Sequence, residues 1–148
     1  MDPRSQMNEQ SVFQFADLRS TGAGQVNAEA LRGMTDGTYL NGMYTAVYTS
    51  GINAGVNPVF VAARALQECG TNGSISSNGS TGYYNHFNIG ATNGNGAAQR
   101  GLNLARNGAT PEFNARYNIP WNTPELSLEN GSRWIYNNYF TYNCITNT

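Results

Sequence analysis

Between Gly55 and Gly70 the chain spells out one complete helix, and this segment constrains the fold more than any other. Asn57 is an N-cap residue and Pro58 suits the first helical turn, where its missing N–H costs nothing. Val59, Phe60, Ala63, Leu66 and Gln67 follow along the segment, and Gly70 stops it. A helix this apolar must bury most of its surface, so the rest of the chain has to pack around it. At its last turn it carries a single carboxylate, Glu68.

Other helices read from the same signals. Asn27 caps a short helix carrying Ala30, Leu31 and Met34. Leu40, Met43, Tyr44, Val47 and Tyr48 recur at helical spacing, so a helix is expected over 40–53, ended by Gly55. Another is expected from Gly96 to Arg106, with Ala98, Leu102 and Ala105 inward. Thr123-Pro124-Glu125 joins a cap, a first-turn proline and an acid at a helix N-terminus. That helix carries Leu126, Leu128, Trp134 and Ile135 towards Phe140, weakened in its middle by Gly131. Residues 107–122 read as a loop. From Thr71 to Asn95 Gly, Ser and Asn dominate, which reads as an irregular lobe with a short hairpin near Tyr83–Ile89. The expected architecture is therefore mainly α, an α+β arrangement of helices around a groove closed by the loop lobe. One domain is expected over 15–148, behind a loose segment at 1–14.

Composition narrows the function. Charged and aromatic residues each make up 11 % of the 148 residues, a polarity supplied by Asn, Gly, Thr and Ser rather than by charge. Such a surface of amides and hydroxyls suits carbohydrate, whose hydroxyls both donate and accept. The eight basic residues are all arginine and scattered, and the net charge is −1, so no basic stripe offers itself to nucleic acid. No apolar run is long enough to span a membrane, and the first ten residues carry no signal-peptide pattern. Cys69 and Cys144 have no metal spacing; they pair only if the fold joins them, and two thiols are an equal expectation.

Among the nine acidic residues only Glu68 sits late in an apolar helix beside a loop lobe. Partial burial and the negative helix C-terminus are both expected to keep its carboxyl protonated, as a general acid requires. The competing reading is a surface ion pair with Arg64, four residues earlier on the same face. Tyr83, Tyr84, Asn85, Phe87 and Asn88 supply rings and amides that suit sugars, with Phe87 and Ile89 also able to fold the loop on itself. His86 has no metal-ligand neighbours in sequence; a Cys69–His86 nucleophilic pair is the weaker possibility. No cofactor or metal is implied.

Three segments resemble one family, the bacterial endo-β-N-acetylglucosaminidases of the autolysin and flagellar-hydrolase type. Gly55–Glu68 resembles its G-V-N-P-x-x-x-A-A-x-A-x-x-E helix. Tyr83-Tyr84-Asn85-His86-Phe87-Asn88-Ile89-Gly90 resembles its Y-Y-N-x-F-N-I-G segment, and Trp121–Tyr139 its last helix. Phe15–Arg19 and Val26–Leu31 are similar to its lead-in. The resemblance covers roughly residues 15 to 140. It implies a lysozyme-like fold and a peptidoglycan glycan strand as partner. The implied reaction is hydrolysis of the β-1,4 bond between N-acetylglucosamine and N-acetylmuramic acid. Glu68 falls on the family's catalytic acid, and Trp121 and Tyr139 join the expected substrate contacts. An extracellular, wall-bound or virion-borne protein is expected; with no signal-peptide pattern in view, that makes it a mature fragment, a piece of a longer chain or cargo of a phage particle. Two departures stand out. No Asp or Glu lies between Glu68 and Glu112, so either Glu112 is the second carboxylate, the substrate's acetamido group serves instead, or the domain binds without cutting. The family's late active-site tyrosine has only Tyr139 or Tyr142 as counterparts. A lytic transglycosylase, which needs one acid alone, is the third reading.

Overall fold

The computed structural model describes residues 27–140 and is mainly helical. In chain order the helices are α1 (Ala28–Thr35), α2 (Tyr44–Ala54), α3 (Pro58–Cys69), α4 (Ala97–Asn107), α5 (Pro111–Arg116) and α6 (Pro124–Ile135). The last continues into a π-helical turn, Tyr136–Phe140. The expected loose segment at 1–14, along with Cys144 and Tyr142, lies outside the described residues.

The helix boundaries follow from the caps. Asn27 accepts from Ala30 N–H, Asn57 from Val59 N–H and Thr123 from Leu126 N–H, each satisfying a donor that the first turn leaves open. Gly55 closes α2 at φ 79° and Gly70 closes α3 at φ 81°, conformations an L side chain rarely adopts. Two expected boundaries shift. The second helix starts at Tyr44, because Gly42 takes φ 84° and Leu40–Met43 form a turn instead. Residues 107–122 are not all loop: Thr110 caps the short α5, accepting from Phe113 N–H.

The core gathers between α2, α3 and α6. The helices α2 and α6 pack face to face, α3 lies against α2, and α1 covers α3. Leu31, Leu40, Val47, Val56, Ala62, Ala65, Trp121 and Leu128 are wholly buried. Leu102 and Ala105 of α4 turn inward as expected, but Ala98 is exposed at the helix entry.

No strand occurs over 71–95, and the expected hairpin is absent. The segment is instead a chain of turns pinned by side chains. Ser74 N–H donates to Ser77 Oγ, Ser80 N–H to Asn78 Oδ1, and Arg100 holds 92–95 through Thr92 and the Asn95 carbonyl. Backbone groups satisfied this way have no need of a ladder. Phe87 and Ile89 are buried and anchor the lobe on α6. There Gly131 is required by a close approach: a Cβ at this position would stand 2.5 Å from Phe87 Cδ2. Gly131→Ala should therefore destabilise the fold by about 1–3 kcal/mol by overpacking, although alanine is the better helix former. Urea unfolding of the two proteins measures it, and equal or greater stability of the alanine variant would contradict this packing.

Candidate functional site

Glu68 stands on the last turn of α3, with a quarter of its side chain exposed (25 %). Its two carboxylate oxygens have different partners. Oε2 lies 3.2 Å from an Arg64 guanidinium nitrogen, so the ion pair read from the i, i+4 spacing is present. Oε1 accepts from Asn88 Nδ2 at 3.4 Å, a long contact, while the same amide donates at 3.0 Å to the Glu68 backbone carbonyl. That second bond satisfies one of the carbonyls a helix end leaves open, and it ties the loop lobe to the candidate acid.

Asn88 is delivered by a turn whose geometry is enforced from beneath. It sits at φ 52°, a left-handed conformation that asparagine tolerates better than most residues. Asn85, wholly buried, fixes the turn: its Nδ2 donates at 2.8 Å to the carbonyls of both Ile89 and Gly101, and its Oδ1 accepts from Ile89 N–H. The turn is thereby fastened to α4, where Gly101 leaves room for the amide.

Two residues before Asn88, the imidazole of His86 is sandwiched between the rings of Tyr39 and Tyr84, each centroid 5.9 Å away and nearly parallel. Its Nδ1 lies 3.0 Å from Ser127 Oγ, the same hydroxyl that accepts from the His86 backbone N–H. The Cys69 thiol donates to the His86 carbonyl at 3.3 Å rather than reaching the ring, so no thiol–imidazole pair forms. Cys69 is a buried free thiol.

Burial pushes His86 down to about 4. The unfolded chain takes up a proton near pH 6.5 and the folded chain refuses it until about pH 4. This stability is thus complete above pH 6.5 and lost as the pH falls towards 4, by about 3 kcal/mol at the bottom of the window. His86 is the only histidine, so the slope of the denaturation midpoint between pH 6.5 and 5 reports it. A flat profile there would contradict the buried neutral ring.

The remaining candidates divide into two groups. Asn85, Phe87 and Trp121, expected to touch substrate, are core residues. Trp121 is wholly buried, and its Nε1 donates to the Tyr117 carbonyl at 2.7 Å. Phe87 is pressed on Gly131, and Asn85 spends its amide within the protein. Tyr83, Tyr84, Asn88 and Tyr139 retain accessible surface. Tyr83 lies under the Arg106 guanidinium, and Tyr84 caps the His86 stack. Tyr139, 49 % exposed, lines a cleft of about 270 Å³ with Phe60, Arg64, Ile135 and Phe140. Glu68 does not line this cleft; Arg64, four residues earlier on α3, lines it and pairs with Glu68 Oε2.

Glu112 is not in that cleft. It stands on α5 and lines a separate one with Phe113, Arg116 and Trp134. Three residues carried no signal of their own in the sequence: Tyr39 and Ser127, which hold His86, and Trp134, which lines the Glu112 cleft and reads in the sequence as a helix-face core residue. Only the contact itself, between residues 39, 86 and 127, reveals the first two.

Comparison with known proteins finds no family model that matches this chain and no curated protein that matches it.

Proposed function

We propose that this chain is a peptidoglycan hydrolase that cleaves the β-1,4 bond between N-acetylglucosamine and N-acetylmuramic acid, with Glu68 as the general acid. The observation that carries the reading is the placement of Glu68: a partly exposed carboxyl at the end of a helix packed into the core, held at one oxygen by Asn88 and at the other by Arg64, which lines a cleft with an exposed tyrosine. The resemblance of three segments to the glucosaminidases supports the same assignment and a lysozyme-like arrangement of the helices. It also favours a place of action outside the cytoplasm, at the wall or on a phage particle.

The chemistry follows from one carboxyl. Glu68 gives its proton to the departing glycosidic oxygen as the C1–O bond breaks. Glu112 lines a different cleft, so the carbonyl oxygen of the substrate's own 2-acetamido group takes the nucleophile's place at C1. Water then opens the cyclic intermediate and gives its proton back to Glu68, leaving a reducing N-acetylglucosamine end. Arg64 pairs with Oε2 in the resting protein, so it has to withdraw and Glu68 has to take up a proton from solvent before the carboxyl can protonate a leaving oxygen. The same ion pair favours a second reading, a module that binds glycan without cutting it. A turbidity assay on purified peptidoglycan separates the two. Clearing of the suspension supports the hydrolase, and a protein that pellets with an undiminished suspension supports the binding module.

A further inference from the structure

The cleft that holds Glu112 has no role in the reaction proposed above, yet it brings aromatic, acidic, basic and amide side chains together. It encloses about 330 Å³ between α5 and the end of α6. Trp134, half-buried, and Phe113 both line it. Glu112 and Arg116 stand at the rim, four apart on α5, where a helix would normally let them pair. They form no ion pair with each other or with any other described residue. Asn138 donates its Nδ2 to the Trp134 carbonyl at 2.8 Å and leaves its Oδ1 without a partner among the described residues.

These features select a ligand by chemistry. One carboxylate and one guanidinium cancel, so the cleft suits a neutral molecule. Separate strong acceptors (Glu112, Asn138 Oδ1) and a strong donor (Arg116) suit groups that do both, as hydroxyls do. The aromatic lining of Trp134 and Phe113 suits a ring with an apolar side. A pyranose satisfies all three conditions. The cleft also adjoins the one lined by Arg64, the ion-pair partner of Glu68, since Trp134 meets Tyr139 edge to face at 5.9 Å and each of these two residues lines its own cleft.

We propose that the Trp134 cleft is a second glycan-binding subsite, taking a β-linked N-acetylhexosamine unit of a strand that passes over Tyr139 towards Glu68. The choice of sugar rests on the proposed function; the existence of the subsite rests on the cleft. Glu112 is thus a binding residue, not the second carboxylate of the reaction.

Tryptophan fluorescence tests this directly. The chain has two tryptophans, and Trp121 is wholly buried, so an emission change on ligand addition reports Trp134. The titration uses the full chain carrying Glu68→Gln, with the β-1,4-linked tetramer of N-acetylglucosamine as probe. A saturable emission change is expected, with the dissociation constant rising about ten-fold when either Glu112→Ala or Arg116→Ala is added, the loss of a hydrogen bond to a charged group. Both residues are exposed on a short surface helix, and Glu125→Ala, remote from the cleft, should leave the titration unchanged. A saturable change indifferent to Glu112→Ala and Arg116→Ala would overturn the proposal, as would a response to a zwitterionic dipeptide in place of the sugar. No emission change, from a chain whose unmutated form clears peptidoglycan, removes the subsite and leaves the hydrolase. An emission change without clearing removes the hydrolase and leaves the subsite.

Discussion

Glu68→Gln is expected to lower the rate of peptidoglycan cleavage by about 10²- to 10⁴-fold, the contribution of a positioned general acid. The substitution isolates the proton. Glutamine keeps the length of the side chain, its carbonyl oxygen still accepts from Asn88 Nδ2, and the backbone carbonyl of residue 68 keeps its own bond to that amide. What disappears is the ability to protonate a leaving oxygen and the charge that attracts Arg64. A partly exposed i, i+4 ion pair of this kind contributes little to stability, so the melting temperature should stay within a degree or two. A variant that folds normally and cleaves at the unmutated rate would remove Glu68 from the chemistry.

Trp121→Ala should be the most damaging of the substitutions at the candidate contacts, at about 3–5 kcal/mol of stability. The indole is wholly enclosed, and its removal opens a cavity in the middle of the core. It also leaves the Tyr117 carbonyl without its donor at 2.7 Å, an added cost for a buried acceptor. Moreover, the Trp121 backbone bridges the lobe and α4, accepting from Tyr84 N–H and donating to the Ala105 carbonyl, so cavity relaxation would disturb both. For a chain of this size the loss corresponds to a melting temperature lower by roughly 10 °C. Thermal unfolding followed by far-ultraviolet circular dichroism gives the number. A stable variant with weakened glycan binding would instead restore Trp121 to the substrate contacts.

How far the sequence could be read depended on where the determining interaction lies. Helix ends are local, and they were legible: Asn27, Asn57-Pro58, Gly55, Gly70 and Thr123-Pro124 set boundaries that the fold obeys. The short α5 carries the same signature in Thr110-Pro111-Glu112, but it has too few apolar residues to show a helical period. In the opposite direction, the apolar spacing from Leu40 suggested helix across Gly42, where a single left-handed residue prevents it. The lobe over 71–95 resisted reading because side chains, not a repeating ladder, satisfy its backbone. Aromatic residues were ambiguous for a related reason. Nothing in composition distinguishes a tryptophan sealed by Tyr117 from one that lines a cleft with Glu112, since burial is decided by partners distant in the chain. Glu68 could be singled out because acids are scarce and its helix is apolar. Its partner Asn88, twenty residues away, acquires a defined role only once Asn85 has fixed the turn.

The most direct test of the account is the chemistry of the chain ends left in digested peptidoglycan, read by mass spectrometry after exposure to the unmutated protein. Hydrolysis with Glu68 as the acid leaves soluble fragments with reducing N-acetylglucosamine ends. Fragments ending in anhydro-muramic acid would contradict it in favour of a transglycosylase, and intact strands with bound protein would contradict catalysis altogether.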